Sequence, residues 1–283
     1  MPLQNRVTPT GEIVADPGRG LLLGNRGCLH GPGRELGVSR WRSQLWLCCV
    51  LSWKSVRRDP MPPGRWTALF FLDEATALAA GHRPCAYCRR RDFLDFAEGW
   101  RAARELRQRP RAPEIDAVLH GERVDRRRRQ ITHRALGEKL PDGVMIRQAD
   151  GRIGLLADGQ WRPWSFGGYG EPAAGKVTGM VEVLTPASAV AAIAAGYRPL
   201  VHPSALTGMT ALPAGRSAGV RIYRPEPASG ASGTAAAPEQ AAAPATGEPS
   251  APQRQQSRRV PVRNSGPVRN SGPVRPARTA PPG

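Results

Sequence analysis

The chain has 283 residues, of which 41 are Lys or Arg and 23 are Asp or Glu, so its formal net charge is +18. Such a charge favours a polyanionic partner, DNA or RNA above all, because basic side chains that bind phosphates release counterions. No apolar run approaches the roughly 18 residues of a membrane-spanning helix, so we expect no membrane partner. The start, MPLQNRVTPTGE, lacks the apolar segment of a signal peptide, and five cysteines fit a reducing compartment better than a disulfide framework. We therefore expect a cytoplasmic protein.

The first 110 residues predict a small antiparallel β unit followed by helices. Residues 1–40 are rich in Gly and Arg and predict loops with one short strand at 20–23. Two bulky apolar segments, QLWLCCVLSWK at 44–54 and WTALFFL at 66–72, predict strands that pair as an antiparallel hairpin. Asp73 then caps a short helix, EATALAA, that ends at Gly81.

After a Cys-x-x-Cys turn, apolar side chains at helical spacing predict a helix from about 92 to 107. Its apolar face consists of Phe93, Phe96, Ala97, Trp100 and Ala103. The next segment, PEIDAVLHGERV, predicts a further helix with Pro113 at its first position.

The rest of the second region, 111–224, is rich in strand signals. The segments GVMIRQ, RIGLLA, QWRPWSF and KVTGMVEVL, between 143 and 184, predict strands separated by Gly-containing turns. Thr185 as N-cap and Pro186 then begin a helix that ends at Gly196. From about residue 225 the chain is Pro, Ala, Gly, Ser and Arg with few apolar side chains, which predicts a disordered basic tail, 225–283.

Two segments of the chain share one plan. GRWTALFFLDEATALAAGHRP at 64–84 and GKVTGMVEVLTPASAVAAIAAGYRP at 175–199 each contain a basic start, a strand, a helix and a final Ala-Ala-Gly-(His or Tyr)-Arg-Pro, which we call the hook. A glycine followed by a proline is a common helix end, but identity at five of the six hook positions favours two related strand–helix–hook units that face each other. The fold class is therefore α+β: small antiparallel sheet units with short helices, a repeated strand–helix–hook and a disordered C-terminal tail.

Cys85 and Cys88 form a Cys-x-x-Cys turn that can supply two of the four ligands of a structural zinc. A redox pair would follow a strand at the start of a helix, whereas a helix precedes this one, and thiols packed in a core are the third alternative. The residues that could complete a zinc site are Cys28 and Cys49, with His30 and Cys48 as substitutes. Adjacent strand residues point to opposite faces, so Cys48 and Cys49 cannot both reach one metal without a bulge.

The segment FFLDEATALAAGHRPCAYCRR resembles the second half of the Ada-type zinc-binding domain, the N-terminal module of a bacterial DNA alkylation-repair protein. The shared pattern is a strand ending in Phe-Phe, a short Glu-Ala-x-x-Ala-Gly helix and Arg-Pro-Cys-x-x-Cys-Arg, and it covers about residues 66–90. The resemblance implies that Cys85 and Cys88 are zinc ligands. The family's other ligand pair lies in the turn between the two strands, and here that turn, KSVRRDPMPPG, contains neither Cys nor His. Methyl transfer in the family uses a cysteine of that missing pair, so we do not extend this activity to the chain.

Three further residues carry an alternative hypothesis, an enzyme acting on nucleic acid or nucleotides. Asp116 and His120 lie one helical turn apart and could form a metal-binding or general-base pair, although a surface capping pair is the alternative. His202 follows the second hook, at the place where the first hook continues into its cysteine turn. If the two hooks meet, His202 would lie near Cys85 and Cys88.

The densest basic run is Arg126-Arg127-Arg128-Arg129. With Arg89 and Arg90 beside the cysteine turn, these residues are candidates for phosphate contacts, and a solvated face is the alternative. The leading hypothesis is a nucleic-acid-binding protein with a degenerate Ada-like module, 1–110, followed by the helix and β-rich region, 111–224. Two alternatives stay open for the module: a rearranged set of ligands holds zinc, or the fold survives with a lost metal site. A non-catalytic partner-binding scaffold is the third hypothesis, and the oligomeric state is open.

Overall fold

The computed structural model describes residues 1–54, 59–206 and 219–223, all of which lie within one compact unit, Met1–Pro227. The architecture is α+β, as the sequence predicts, with sheets and a few short helices. The predicted tail, 225–283, lies outside the described residues. In the part of the chain that is described, no helix is long and apolar enough to cross a membrane.

The first sheet is formed by the N-terminal third of the chain, in the order β2-β1-β5-β3-β4-β6. Its strands are β1 (Gln4–Val7), β2 (Ile13–Ala15), β3 (Leu22–Asn25), β4 (Leu47–Val50), β5 (Leu69–Phe71) and β6 (Arg83–Pro84). The predicted hairpin of β4 with β5 is wrong, because both strands pair antiparallel with β3, which lies between them. The physical reason is that Leu22, Leu23 and Gly24 are all buried, and a strand buried on both faces belongs inside a sheet.

The first strand–helix–hook unit has the local structure that its sequence predicts. Helix α1 (Glu74–Ala79) is capped by Asp73, whose Oδ1 accepts a hydrogen bond from the Thr76 backbone N–H at 2.9 Å. Gly81, with φ of +79°, lets the chain leave the helix. The hook then continues as β6, parallel to β4.

The second sheet has the strand order β11-β10-β9-β8-β12-β7, and its paired neighbours are antiparallel. Its strands are β7 (His133–Leu136), β8 (Met145–Arg147), β9 (Ile153–Ala157), β10 (Gln160–Ser165), β11 (Gly168–Tyr169) and β12 (Met180–Val183). The four strands predicted between 143 and 184 are confirmed, with shorter bounds. A small parallel pair, β13 (Leu200–Val201) with β14 (Arg221–Ile222), completes the described sheets.

Three longer helices cover the second sheet: α2 (Arg90–Ala103), α3 (Ala112–Arg123) and α4 (Ala187–Ala194). On the predicted apolar face of α2 four side chains are buried, but Ala103 is exposed because the helix ends there. The predicted cap of α4 is also corrected. Pro186 is the N-cap, while the buried Thr185 hydroxyl accepts the Met145 N–H of β8 at 3.0 Å.

The two strand–helix–hook units meet at the start of α1. The buried Glu74 carboxylate accepts hydrogen bonds from the hydroxyl of Tyr197, in the second hook, at 2.6 Å and from the N–H of Leu200, directly after that hook, at 2.8 Å. Asp73 accepts the His202 N–H at 3.0 Å. The second hook therefore packs against the first helix and not against the first hook.

Candidate metal centre and basic cavity

Three cysteine sulfur atoms, those of Cys49, Cys85 and Cys88, lie within 4.8 Å of one another. The pairing of β6 with β4 produces this arrangement, since the Cys85 N–H donates to the Cys48 carbonyl at 2.9 Å and so places Cys85 beside Cys49. The Tyr87 N–H donates to the Cys85 sulfur at 3.4 Å and tightens the turn that returns Cys88. Tetrahedral zinc with bonds of about 2.3 Å needs sulfurs about 3.8 Å apart, so the three side chains could hold a metal ion with little movement.

Hydrogen bonds among the three thiols shift the pKa values of Cys49 and Cys85 in opposite directions. Hydrogen bonds donated by Cys49 and Cys88 lower the pKa of Cys85. The Cys49 thiol donates to Cys85 and Cys88, which raises the pKa of Cys49, and burial raises this pKa further. The two donors therefore favour the thiolate form of Cys85. Soft sulfur donors of this kind suit zinc and other thiophilic metals.

The other predicted metal ligands lie elsewhere. The Cys28 sulfur faces the His30 carbonyl at 3.8 Å, and the His30 ring is held by the Thr67 hydroxyl and the Pro62 carbonyl. The Cys48 sulfur points to the opposite face of β4, is fully buried, and accepts a hydrogen bond from Arg89 at 3.4 Å. Cys28, His30 and Cys48 therefore lie outside the group formed by Cys49, Cys85 and Cys88.

The candidate centre has three protein donors among the described residues. The chain has five Cys and five His, and all ten lie in the described ranges. Within those ranges the cysteine group contains no fourth Cys, His, Asp or Glu. A metal held here would therefore have three ligands from the described part of the chain.

The predicted catalytic pair is not formed. Both carboxylate oxygens of Asp116 accept hydrogen bonds from Arg83, at 2.9 and 2.7 Å, and both side chains are buried. The His120 Nδ1 atom instead lies 3.1 Å from an Arg123 nitrogen. Asp116 is thus the partner of a buried arginine, and both of its carboxylate oxygens already accept hydrogen bonds from that arginine.

His202 also lies apart from the thiols. Its Nδ1 atom contacts the Ser204 hydroxyl at 2.8 Å, beside the β10–β11 turn, and it is not a member of the cysteine group. Burial lowers the pKa of its ring. The expected meeting of His202 with Cys85 and Cys88 does not occur, because the second hook packs on α1.

The predicted phosphate-contacting arginines divide into two sets. Arg89 is buried and paired with Glu74 and Asp92, each at 2.8 Å, so it is withdrawn from any phosphate. Arg90 is exposed, as are the four arginines 126–129. The Asp125 side chain organises this second turn by accepting the N–H groups of Arg127 and Arg129 at 2.8 and 2.9 Å.

A cavity of about 410 Å³ opens beside this turn. Arg128 and Arg129 line it, together with the buried Arg26 and Arg123, whose guanidinium carbons lie 4.0 and 4.2 Å from the ring centre of Trp46. These two buried arginines and the tryptophan were not predicted as site residues from the sequence. No spacing signal marks them, because they come from three segments distant in the chain.

No protein-family model, no curated protein and no solved structure matches this chain. A functional assignment therefore depends on the chemistry of the cysteine group and of the cavity.

Proposed function

We propose that the protein binds nucleic acid through the arginine-rich face around the cavity and holds one zinc ion at Cys49, Cys85 and Cys88. The observation that carries the proposal is the clustering of arginines at one opening. The exposed turn 126–129 borders the same cavity that buried arginines line from within. Arginines on an exposed turn provide affinity for phosphates, whereas buried arginines have guanidinium groups that the surrounding residues hold in a fixed position.

The zinc has a structural role in this proposal. Three thiolates join β4 to the turn that follows β6, two segments 36 residues apart between Cys49 and Cys85. The same strand begins next to Trp46, whose ring contacts both cavity arginines. Zinc binding would therefore stabilise the wall of the cavity. The resemblance to the Ada-type domain agrees with this role and stays a prediction.

The location that suits this chemistry is the cytoplasm. All five cysteines are free, three of them close together, and a reducing compartment keeps such thiols available for a metal. We place the protein there as part of the same proposal.

Salt dependence tests nucleic-acid binding. We expect the affinity for a short single-stranded DNA or RNA, measured by fluorescence anisotropy, to fall steeply as KCl rises from about 50 to 200 mM. The double variant Arg126→Ala with Arg127→Ala should reduce the slope of log affinity against log salt by about one for each phosphate that is no longer bound. Arg91→Ala, an exposed arginine of α2 that does not line the cavity, is the matched control. A wild-type affinity that does not change with salt would contradict the proposal, and the preferred strand tells DNA from RNA.

Metal content tests the zinc centre. Purified protein should contain about one equivalent of zinc, and Cys85→Ser or Cys49→Ser should remove it, because two thiolates hold zinc poorly. Cys28→Ser is the control, since its sulfur lies outside the group. Zinc below about 0.2 equivalent in the wild type, unchanged by Cys85→Ser, would rule the centre out.

A further inference from the structure

The floor of the cavity carries two buried positive charges that no carboxylate hydrogen-bonds. Arg26 is 1% exposed and donates from Nε to the His82 ring at 3.2 Å and from Nη1 to the Gly11 carbonyl at 3.0 Å. Its Nη2 atom is buried and has no hydrogen-bond partner among the described residues. Arg123 donates to the carbonyls of Gly81 and Gln44, again neutral acceptors.

The two guanidinium groups also repel each other across Trp46. Burial, with the charges of Arg123 and Arg40 adding to it, lowers the pKa of Arg26 to about 9. Burial likewise lowers the pKa of Arg123 to about 9, although the charge of Asp116 opposes the shift. A buried charge without a counter-charge destabilises a fold, and an anion in the cavity would supply that counter-charge to Arg26.

The remaining lining keeps the cavity positive. Six arginines line it: Arg26, Arg40, Arg123, Arg128, Arg129 and Arg147. The two acidic lining residues are Glu12 and Glu182, and Glu182 is paired with Arg147 at 3.2 Å. The cavity therefore has an excess of positive charge, with its least solvated charges at the bottom.

We propose that this cavity binds the phosphate group of a nucleotide on Arg26 and Arg123, with the base of the nucleotide against Trp41. Guanidinium groups match phosphate oxygens in geometry and charge, better than lysine does. Trp41 lines the cavity, is half-buried, and lies 5.8 Å from the Trp46 ring, which makes it the aromatic surface for a planar base. A free nucleotide and the phosphorylated end of a nucleic-acid strand would present the same phosphate and base to the cavity. Only binding of the strand end rests on the proposed function.

A purely structural role for the two arginines predicts a different behaviour. Arginines that only pack against Trp46 would contribute to stability but would not bind phosphate. The comparison of adenosine 5′-monophosphate with adenosine separates the two roles, because the ligands differ in the phosphate alone.

The test is calorimetric titration of the full-length protein with adenosine 5′-monophosphate, adenosine and inorganic phosphate. We expect the monophosphate to bind at least about 10-fold more tightly than adenosine, as one or two charge-assisted hydrogen bonds require. Arg128→Ala and Arg40→Ala, both exposed at the rim, should weaken its binding, and Arg91→Ala should not. Arg26→Met should abolish it, and the rim variants keep the test valid if this buried variant fails to fold.

Oligonucleotides with a 5′-phosphate or a 5′-hydroxyl distinguish the source of the phosphate. A preference for the phosphorylated strand that Arg26→Met removes assigns the cavity to strand ends. Binding of the monophosphate without that preference assigns it to free nucleotides. The inference would be overturned if the monophosphate bound no more tightly than adenosine, or did not bind, and the two strands bound with equal affinity. In that case, salt-dependent binding of the strands would still support the proposed function.

Discussion

Four arginines, Arg26, Arg83, Arg123 and Arg162, are among the largest fully buried side chains in the described part of the protein. Arg83 meets a carboxylate, whereas Arg26 and Arg123 donate to carbonyls and to histidine rings. At the residue scale, buried arginines therefore hydrogen-bond segments that are distant in the sequence, while exposed arginines supply the surface charge. This dual use explains why the basic composition alone does not locate the proposed binding face.

The buried pair of Arg83 and Asp116 leads to a stability prediction. Asp116→Asn leaves the Arg83 charge buried without its partner, so we expect the free energy of unfolding to fall by about 3 kcal/mol. Chemical denaturation monitored by circular dichroism measures this change. Asp150→Asn removes the partner of Arg152 in an exposed pair and should leave stability nearly unchanged. Equal effects of the two substitutions would contradict the structural role of Asp116.

At the element scale, α2 packs closely against α4, the helix of the second strand–helix–hook unit. Gly99 of α2 faces the backbone of α4, and a Cβ atom there would lie 2.6 Å from the Ala192 carbonyl oxygen. Phe96, one turn earlier, packs edge-on against Tyr197 at 5.1 Å between ring centres. A glycine inside a helix lowers its intrinsic stability, so its presence here reflects the need for contact between the helices.

Substitution of helix glycines tests this contact. We expect Gly99→Ala to destabilise the protein by about 1 to 3 kcal/mol, because overpacking against backbone outweighs the better helix propensity of alanine. Gly121→Ala in α3 meets no atom within 4 Å and should instead stabilise by about 0.5 kcal/mol. Thermal unfolding of both variants gives the comparison. A stabilising Gly99→Ala would show that the two helices do not pack so closely.

On the scale of the whole molecule, the apolar cores extend across the predicted boundary at residue 110. Leu78 of α1 packs in one cluster with Ile146 and Leu156 of the second sheet. Leu72, just before α1, packs in another with Met145 of that sheet. The division into domains 1–110 and 111–224 stays a prediction, and this packing indicates that the two regions depend on each other for stability.

Calorimetry measures that dependence. We expect a single unfolding transition whose van't Hoff and calorimetric enthalpies agree for the folded part. Leu78→Ala should shift the whole transition to lower temperature, by the equivalent of about 2 to 5 kcal/mol for a buried leucine, without splitting it. Leu106→Ala, at a side chain 37% exposed, is the control and should change little. Two resolved transitions, with Leu78→Ala moving only one of them, would support two independent domains.

The sequence by itself determined the features that local chemistry controls. The cap at Asp73, the left-handed glycines at the ends of α1 and α4, and the four predicted strands of the second sheet all follow from neighbours in the chain. Cys85 and Cys88 belong with these features, since a spacing of three residues already brings two thiols to one turn.

Only the tertiary structure decided which residues from distant segments meet. The insertion of β3 between β4 and β5, and the pairing of β4 with β6, bring Cys49 and not Cys28 to the cysteine turn. Arg26, just after β3, and Arg123, at the end of α3, likewise meet only in the folded chain, where both contact the Trp46 ring. Strand order depends on long-range burial and not on local propensity. The sequence therefore offered Cys49 only as one of several candidates to join Cys85 and Cys88, and it pointed to Arg128 and Arg129 without indicating the cavity that they line.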